Sequence, residues 1–430
     1  MIQEQKKITQ TEAVVVKKCR VCGNPSLVSC IDLGDQYLSS VFPENLNYRS
    51  LLRKFPLKLV ICDKKAVSHA CGLVQLAHQL DLSPMYESYP YTSATNSSMR
   101  TVLKDVADNA LALKHLTRGD LILDIGGNDG TLLSFFQDAG VDMLCIDAAK
   151  NVNPVFESKQ FMHVRDFFTK KLFASVSNKK AKLIFSIAMF YHLDNPVTFS
   201  RHVAECLDPD GAWIIQMAYL PTMLKTVMYD NIVHEHNGYY GLYHLKWIME
   251  KVGLEIFDVT LNNVYGGSFR VFVKNKNCVN FPSTDRVQKI LQEEEKIGMF
   301  DETVYRSFVR KMEQSRSDLL KLCDRIKKEF KIIWAYGAST KGNTILQYSG
   351  LSANELTAVA DTNPFKLGKY MIGSDVPIKD EAAMRRAKPD YLLALPYSFT
   401  GGFIKRESDL IRAGTRFIVP LPHVELKPAP

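Results

Sequence analysis

The residues able to do chemistry fall into separate clusters along this 430-residue chain. The first follows an apolar run, Leu121-Ile122-Leu123-Asp124-Ile125, and reads Gly126-Gly127-Asn128-Asp129-Gly130. Glycines in such a loop let the backbone approach a ligand with no Cβ in the way. A second apolar run, Met143 to Ile146, ends in Asp147, where a carboxylate can accept both ribose hydroxyls of an adenosine. The second cluster is His234-Glu235-His236, set among aromatic residues; its spacing is not the HExxH of a zinc protease, so proton transfer is the better use. The third is Cys19-Arg20-Val21-Cys22, a knuckle that places two thiolates on one metal ion, with Cys62 and Cys71 as the second pair and Cys30 or His69 as alternative ligands.

The glycine loop lacks the GxGxxG spacing of a pyrophosphate site and carries polar Asn128 and Asp129 instead. That favours S-adenosylmethionine, whose sulfonium and amino acid moiety are cationic, over a dinucleotide. Asp124, Gly126, Gly127, Asn128 and Asp147 are the expected cofactor-binding residues.

These side chains need a scaffold. Strand, glycine loop and a helix beginning near Thr131 suit an α/β domain, and Lys182–Ile187, Trp213–Met217 and Phe269–Val273 read as further strands. His192 follows one of them, at the strand end that lines the ligand cleft in such folds. Residues 285–330 are charged and helix-periodic, with Val304, Phe308, Met312, Leu319, Leu320 and Cys323 on an apolar stripe, and read as a long helical connector. Beyond it, Lys331–Tyr336, a small loop and a helix repeat the same logic, with more strands at Val359–Asp361, Tyr391–Leu395 and Phe417–Val419. In that second loop Ser339, Thr340 and Lys341 form a candidate diphosphate cradle. The hydroxyl-rich segment 86–98 reads either as a wall of the cleft or as a polar connector. The division expected is a zinc lobe at 1–95, a cofactor domain at 96–284, and a helical connector with a second Rossmann-like lobe at 285–430.

Composition narrows the class. Hydrophobic residues at 46% and charged residues at 23% are those of a globular protein, and no run is long enough for a membrane span. The polar first residues do not resemble a signal peptide, so a cytoplasmic location and reduced thiols are expected. A net charge of +8, interspersed with acids, suits an anionic small molecule such as a nucleotide diphosphate and lacks the dense basic and aromatic patch of a nucleic-acid binder.

The run Asp124-Ile-Gly-Gly-Asn-Asp-Gly-Thr-Leu-Leu133 resembles the first motif of class I methyltransferases. Together with Cys19-x-x-Cys22, Tyr89-Pro90-Tyr91, Glu235-His236, Gly266-Gly267-Ser268 and Tyr336-Gly-Ala-Ser-Thr-Lys-Gly-Asn343, it resembles the three-domain sugar C-methyltransferases across nearly the whole chain. The resemblance implies methylation of a nucleotide-linked (dTDP or GDP) 4-keto-6-deoxy sugar through an enolate, with a structural zinc on Cys19, Cys22, Cys62 and Cys71. His236 is then the general base, Glu235 its neighbour that orients it or shares the proton, and Tyr91 the loop tyrosine facing the sugar. Tyr89, Tyr336 and Asn343 join Ser339, Thr340 and Lys341 on the substrate side. Ala188 stands where family members can carry Asn, which shifts reliance for the ketone towards His192. The segment Lys64–Ala70 enlarges the usual second cysteine pair. A monomer or weak oligomer is expected. The competing readings are an RNA methyltransferase, disfavoured by the missing motif of amino methylation, and a non-catalytic nucleotide-sugar binding protein, disfavoured by Glu235-His236.

Overall fold

Leu121–Ile125, buried on both faces, lies inside a seven-stranded sheet, as an uninterrupted apolar run requires. This computed structural model describes residues 12–67, 69–87, 91–95 and 97–428. Across the sheet the strands are Leu254–Asn262, Ser268–Asn275, Leu207–Ala218, Ala181–Ile187, Leu121–Ile125, Asp142–Ile146 and Phe161–Val164. All run in one direction except Ser268–Asn275, which is antiparallel to both neighbours. The order reverses between Leu121–Ile125 and Ala181–Ile187, so a crevice opens beyond their carboxyl ends. The loops that leave those ends carry Gly126–Gly130 and Ala188–His192.

A second doubly wound sheet forms from the last third of the chain, in the order Ile378–Asp380, Val359–Asp361, Ile333–Tyr336, Tyr391–Ala394, Arg416–Val419 and Glu425–Lys427. Its strands are parallel except the last. Ser339 caps the following helix, Thr340–Ser349, by accepting the Gly342 N–H at 2.9 Å.

The N-terminal sheet is antiparallel: Leu27–Gln36, Phe55–Cys62, Val74–Leu76 and then Gly238–Tyr239. That edge strand is lent by the cofactor domain directly after His236, so the cysteine-bearing lobe fixes the position of the histidine segment.

The helical connector is divided, and the helix expected near Thr131 starts later than its sequence suggests. Residues 285–330 are two helices, Asp285–Ile297 and Glu302–Lys328, because Gly298 turns left-handed at φ 69° and Asp301 starts a new cap. The stripe on the second helix is still core, with Phe308, Met312, Leu319 and Cys323 buried. After the glycine loop the chain forms a 3-10 helix at Leu133–Ala139, and the Thr131 N–H is taken by the Asp129 carboxylate at 3.1 Å. The Thr131 N–H is therefore not available to a ligand. Among the described residues no helix is long and apolar enough to cross a membrane.

Candidate active site

Four thiols converge in the N-terminal lobe. The sulfurs of Cys19, Cys22, Cys62 and Cys71 lie within 4.8 Å of one another, with Cys19 and Cys71 at 3.4 Å and Cys22 and Cys62 at 3.5 Å. Zn–S bonds of about 2.3 Å in a tetrahedron separate sulfurs by about 3.8 Å, so the set fits a closed structural zinc site. The enlarged second pair still closes because Cys62 ends one strand while Cys71 comes just before the strand Val74–Leu76 paired with it. Cys30 instead donates to the Leu59 carbonyl, and His69 is exposed outside the cluster.

The cofactor loop is built by carboxylates. Gly126 N–H donates to the Ile146 carbonyl at 2.8 Å, and Asn128 N–H donates to Asp147 Oδ2 at 2.8 Å; Asp147 Oδ1 takes the Ala149 N–H. Each Asp147 oxygen thus keeps one lone pair for a ligand hydroxyl. Asn128 holds a left-handed backbone at φ 54°, and its side chain fixes segment 91–95 by donating to the Tyr91 carbonyl at 3.0 Å and accepting from Ser93 N–H at 2.9 Å. Asp129 adds a bond from Ala94 N–H. Residues 91–95 of the hydroxyl-rich segment therefore wall the cofactor loop; Tyr89 lies outside the described residues. A Cβ at Gly127 would sit 2.6 Å from Asp124 Oδ2 and 2.7 Å from Cys145 Sγ, which is why the position must be glycine. Burial, reinforced by the charges of Asp147 and Asp129, pushes the Asp124 carboxyl up to about 8. A site that crowds three acids around one loop suits a cationic ligand, and S-adenosylmethionine is one.

Across the crevice stand two stacked imidazoles. The His192 and His236 rings are 5.4 Å apart and 26° from parallel, with Tyr191 4.2 Å from His236 and Tyr86 of the N-terminal lobe 5.5 Å from His192. His236 Nδ1 lies 2.8 Å from the Asn231 carbonyl. A carbonyl only accepts, so Nδ1 carries the proton and the Nε2 lone pair is the basic site. Burial holds His236 well below the ordinary histidine range, helped by His192 and Lys341, and takes His192 down to about 3. Both rings are neutral near pH 7. Ala188, at the start of the same loop, sits at φ 55°, a conformation that glycine or asparagine adopts more readily.

The remaining expected residues are distributed unevenly. Glu235 is buried, and its side-chain partner is Ser40 of the N-terminal lobe; the group that orients His236 is the Asn231 carbonyl. Tyr91 lies beside Tyr265 and Asp129, and burial raises its phenol. Tyr336 is buried within the C-terminal lobe, its hydroxyl tied to Glu381, Glu407 and Arg406, which removes it from the substrate side. Asn343 is fully buried and donates to the Ser39 carbonyl at 2.6 Å, a joint between lobes. Lys341 turns away from the loop of its own lobe, with Nζ 3.4 Å from the Tyr265 carbonyl. Asp230, Asn231 and Tyr265 join the site without any motif to announce them.

Three family models match in chain order: a zinc-binding domain over residues 19–86, a methyltransferase domain over 96–259, and a C-methyltransferase C-terminal domain over 263–422. By domain content the chain is an S-adenosylmethionine-dependent C-methyltransferase. A curated relative, the C-methyltransferase NovU of Streptomyces niveus, is 28% identical over 409 residues, covering 95% of this chain and 96% of that protein. Among solved structures, an S-adenosylmethionine-dependent methyltransferase from Listeria monocytogenes covers 40% of this C-methyltransferase and 99% of its own chain, at 10% identity and a TM-score of 0.33. The 1,6-didemethyltoxoflavin N1-methyltransferase of Burkholderia thailandensis covers 43% and 80%, at 13% identity and 0.32.

Proposed function

We propose that this enzyme methylates a nucleotide-linked 4-keto-6-deoxy sugar at C-3 through a base-generated enolate, toward a branched-chain sugar of a surface polysaccharide or natural product. The observation that carries the reading is His236: neutral, anchored at Nδ1, and stacked on His192, whose loop packs Met189 against Gly126 of the acid-lined cofactor loop. Carbon beside a ketone is acidic enough for such a base when the enolate oxygen meets hydrogen-bond donors. His236 takes the proton at Nε2, and the Asn231 carbonyl supports the imidazolium through Nδ1–H. His192 stacks on the base, and Tyr91 contributes a phenol held un-ionised by burial. When bound, S-adenosylmethionine supplies the electrophilic methyl, whose C–S electron pair leaves with sulfur. Asp124 and Asp147 hold the cofactor, and the wall from Tyr91 to Thr95 limits water.

A nucleotide seat on the C-terminal lobe is supported by a repeat of the cofactor loop. Gly337 N–H donates to the Ala360 carbonyl at 2.8 Å, Ala338 N–H to Asp361 Oδ2 at 2.7 Å, and Asn363 N–H to Asp361 Oδ1 at 2.7 Å. These bonds match those of Gly126, Asn128 and Ala149 around Asp147. Ser339 and Thr340 then open the helix that would face a dTDP or GDP diphosphate. The free cysteines fit a reducing cytoplasm.

The test is mass spectrometry of dTDP- and GDP-linked 4-keto-6-deoxy sugars incubated with enzyme and S-adenosylmethionine. A product heavier by one methyl, placed on C-3 by NMR, supports the reading. Cofactor binding with no sugar methylated across the panel refutes the substrate.

A further inference from the structure

The helix Thr340–Ser349 packs on the 3-10 turn Tyr229–Asn231, and Thr344 approaches the Ile232 carbonyl at 3.5 Å. That one turn supplies both Asn231, whose carbonyl anchors His236, and Asp230, a buried carboxylate whose charge opposes the downward pull of burial on the Lys341 ammonium. Lys341 leaves the first turn of the helix and crosses to the cofactor domain. There its Nζ meets the Tyr265 carbonyl at 3.4 Å and stands 5.8 Å from the Tyr265 ring. Tyr265 adopts φ 54° just before Gly266, so its carbonyl is turned by an unusual backbone to receive the ammonium. Tyr265 in turn neighbours Tyr91. Lys341 and His236 thus meet the same turn, the helix of Lys341 packing on Tyr229–Asn231 and His236 bonding to the Asn231 carbonyl, and the lysine charge acts on His236.

Resting on the enolate reading above, we propose that Lys341 is a catalytic residue of the methylation: the C-terminal lobe brings its ammonium into the His236 cleft to hold the developing enolate oxygen of the keto sugar. The charges balance. The proton leaves carbon for His236 Nε2, the electron pair moves onto the ketone oxygen opposite Lys341, and Asp230 compensates the lysine when no substrate is present. The groups facing His236 are His192, Lys341 and the Tyr191 and Tyr239 rings; those facing Lys341 are Asp230, His236 and Tyr265. Burial is what chiefly keeps the base unprotonated before substrate binds, and the charges of His192 and Lys341 add to it. The assignment moves Lys341 from the diphosphate to the reacting centre.

The experiment compares wild type, Lys341→Met and Lys341→Arg by the rate of solvent deuterium entry at the sugar carbon, measured with S-adenosylhomocysteine bound. Cofactor affinity and nucleoside diphosphate affinity are measured alongside by calorimetry. Loss of one preorganised charge at an oxyanion costs on the order of 100-fold. Lys341→Met is expected to lose about that much exchange with both affinities kept within about twofold, and Lys341→Arg to recover part. The acidic limb of the kcat/KM profile should move to higher pH in Lys341→Met, because the base loses a repelling neighbour. Exchange at the wild-type rate in Lys341→Met, or a selective loss of diphosphate affinity with exchange intact, overturns the proposal. Absence of exchange in wild type on every sugar overturns the enolate reading instead.

Discussion

Asp124 makes the cofactor site titrate where most carboxylates do not. Its carboxyl, pushed up to about 8 by burial and by the charges of Asp147 and Asp129, is largely protonated at neutral pH before ligand binds. A bound cation favours the ionised form, so taking up S-adenosylmethionine should release a proton from Asp124 below pH 8. If ionisation is complete in the complex, the binding constant rises tenfold per pH unit on that side. From pH 6.5 to 8, where the free carboxyl is already half ionised, this reaches about 16-fold, or about 1.7 kcal/mol. The assay is calorimetry in buffers of different ionisation enthalpy, which counts protons directly. The cofactor's own amino group titrates near pH 7.7–8.0, so the quantity to read is the difference between wild type and Asp124→Asn. The reasoning is refuted if the two proteins show the same proton count and the same slope.

Other outcomes follow from the same geometry. Gly127→Ala forces a methyl against Asp124 and Cys145, both buried, and should cost about 2–3 kcal/mol in urea unfolding while weakening cofactor binding; unchanged unfolding would contradict the contact. Ala188→Gly should stabilise by about 1 kcal/mol, read from the same titration, by relieving a left-handed alanine. Zinc removal by a chelator, or Cys71→Ser, should lower turnover as well as stability. The reason is that the cysteine lobe's strand Val74–Leu76 pairs with Gly238–Tyr239 beside His236; full activity in metal-free protein would separate the two.

Much of this architecture is legible in the sequence because it obeys local rules. Leu121–Ile125 could only be a buried strand, and Asp147 lies where the next strand must end. The cysteine set was readable despite its long second spacing, since a zinc lobe needs four ligands and few thiols were near enough in sequence. What escaped depends on contacts made through space. Nothing near Asn231 says that its carbonyl would orient His236, and Glu235, adjacent in sequence, turns instead to Ser40. Tyr336 looks like part of a ligand loop but ends a strand, so its side chain enters the core against Glu407 and Arg406. Lys341 sits in a loop of phosphate-binding type, yet the packing of its helix on Tyr229–Asn231 carries the ammonium to another domain. The break at Gly298 is set by a left-handed glycine and a capping Asp301, and the apolar stripe from Val304 to Cys323 belongs to the helix beyond it.

The central claim is that His236 removes the proton beside the ketone. Its most direct test is the rate of deuterium entry at that carbon, with S-adenosylhomocysteine bound, in wild type and in His236→Asn. The account predicts exchange in wild type and its loss by about three orders of magnitude or more in the variant, with cofactor affinity retained. Equal exchange in both proteins would contradict it and assign the proton to another base.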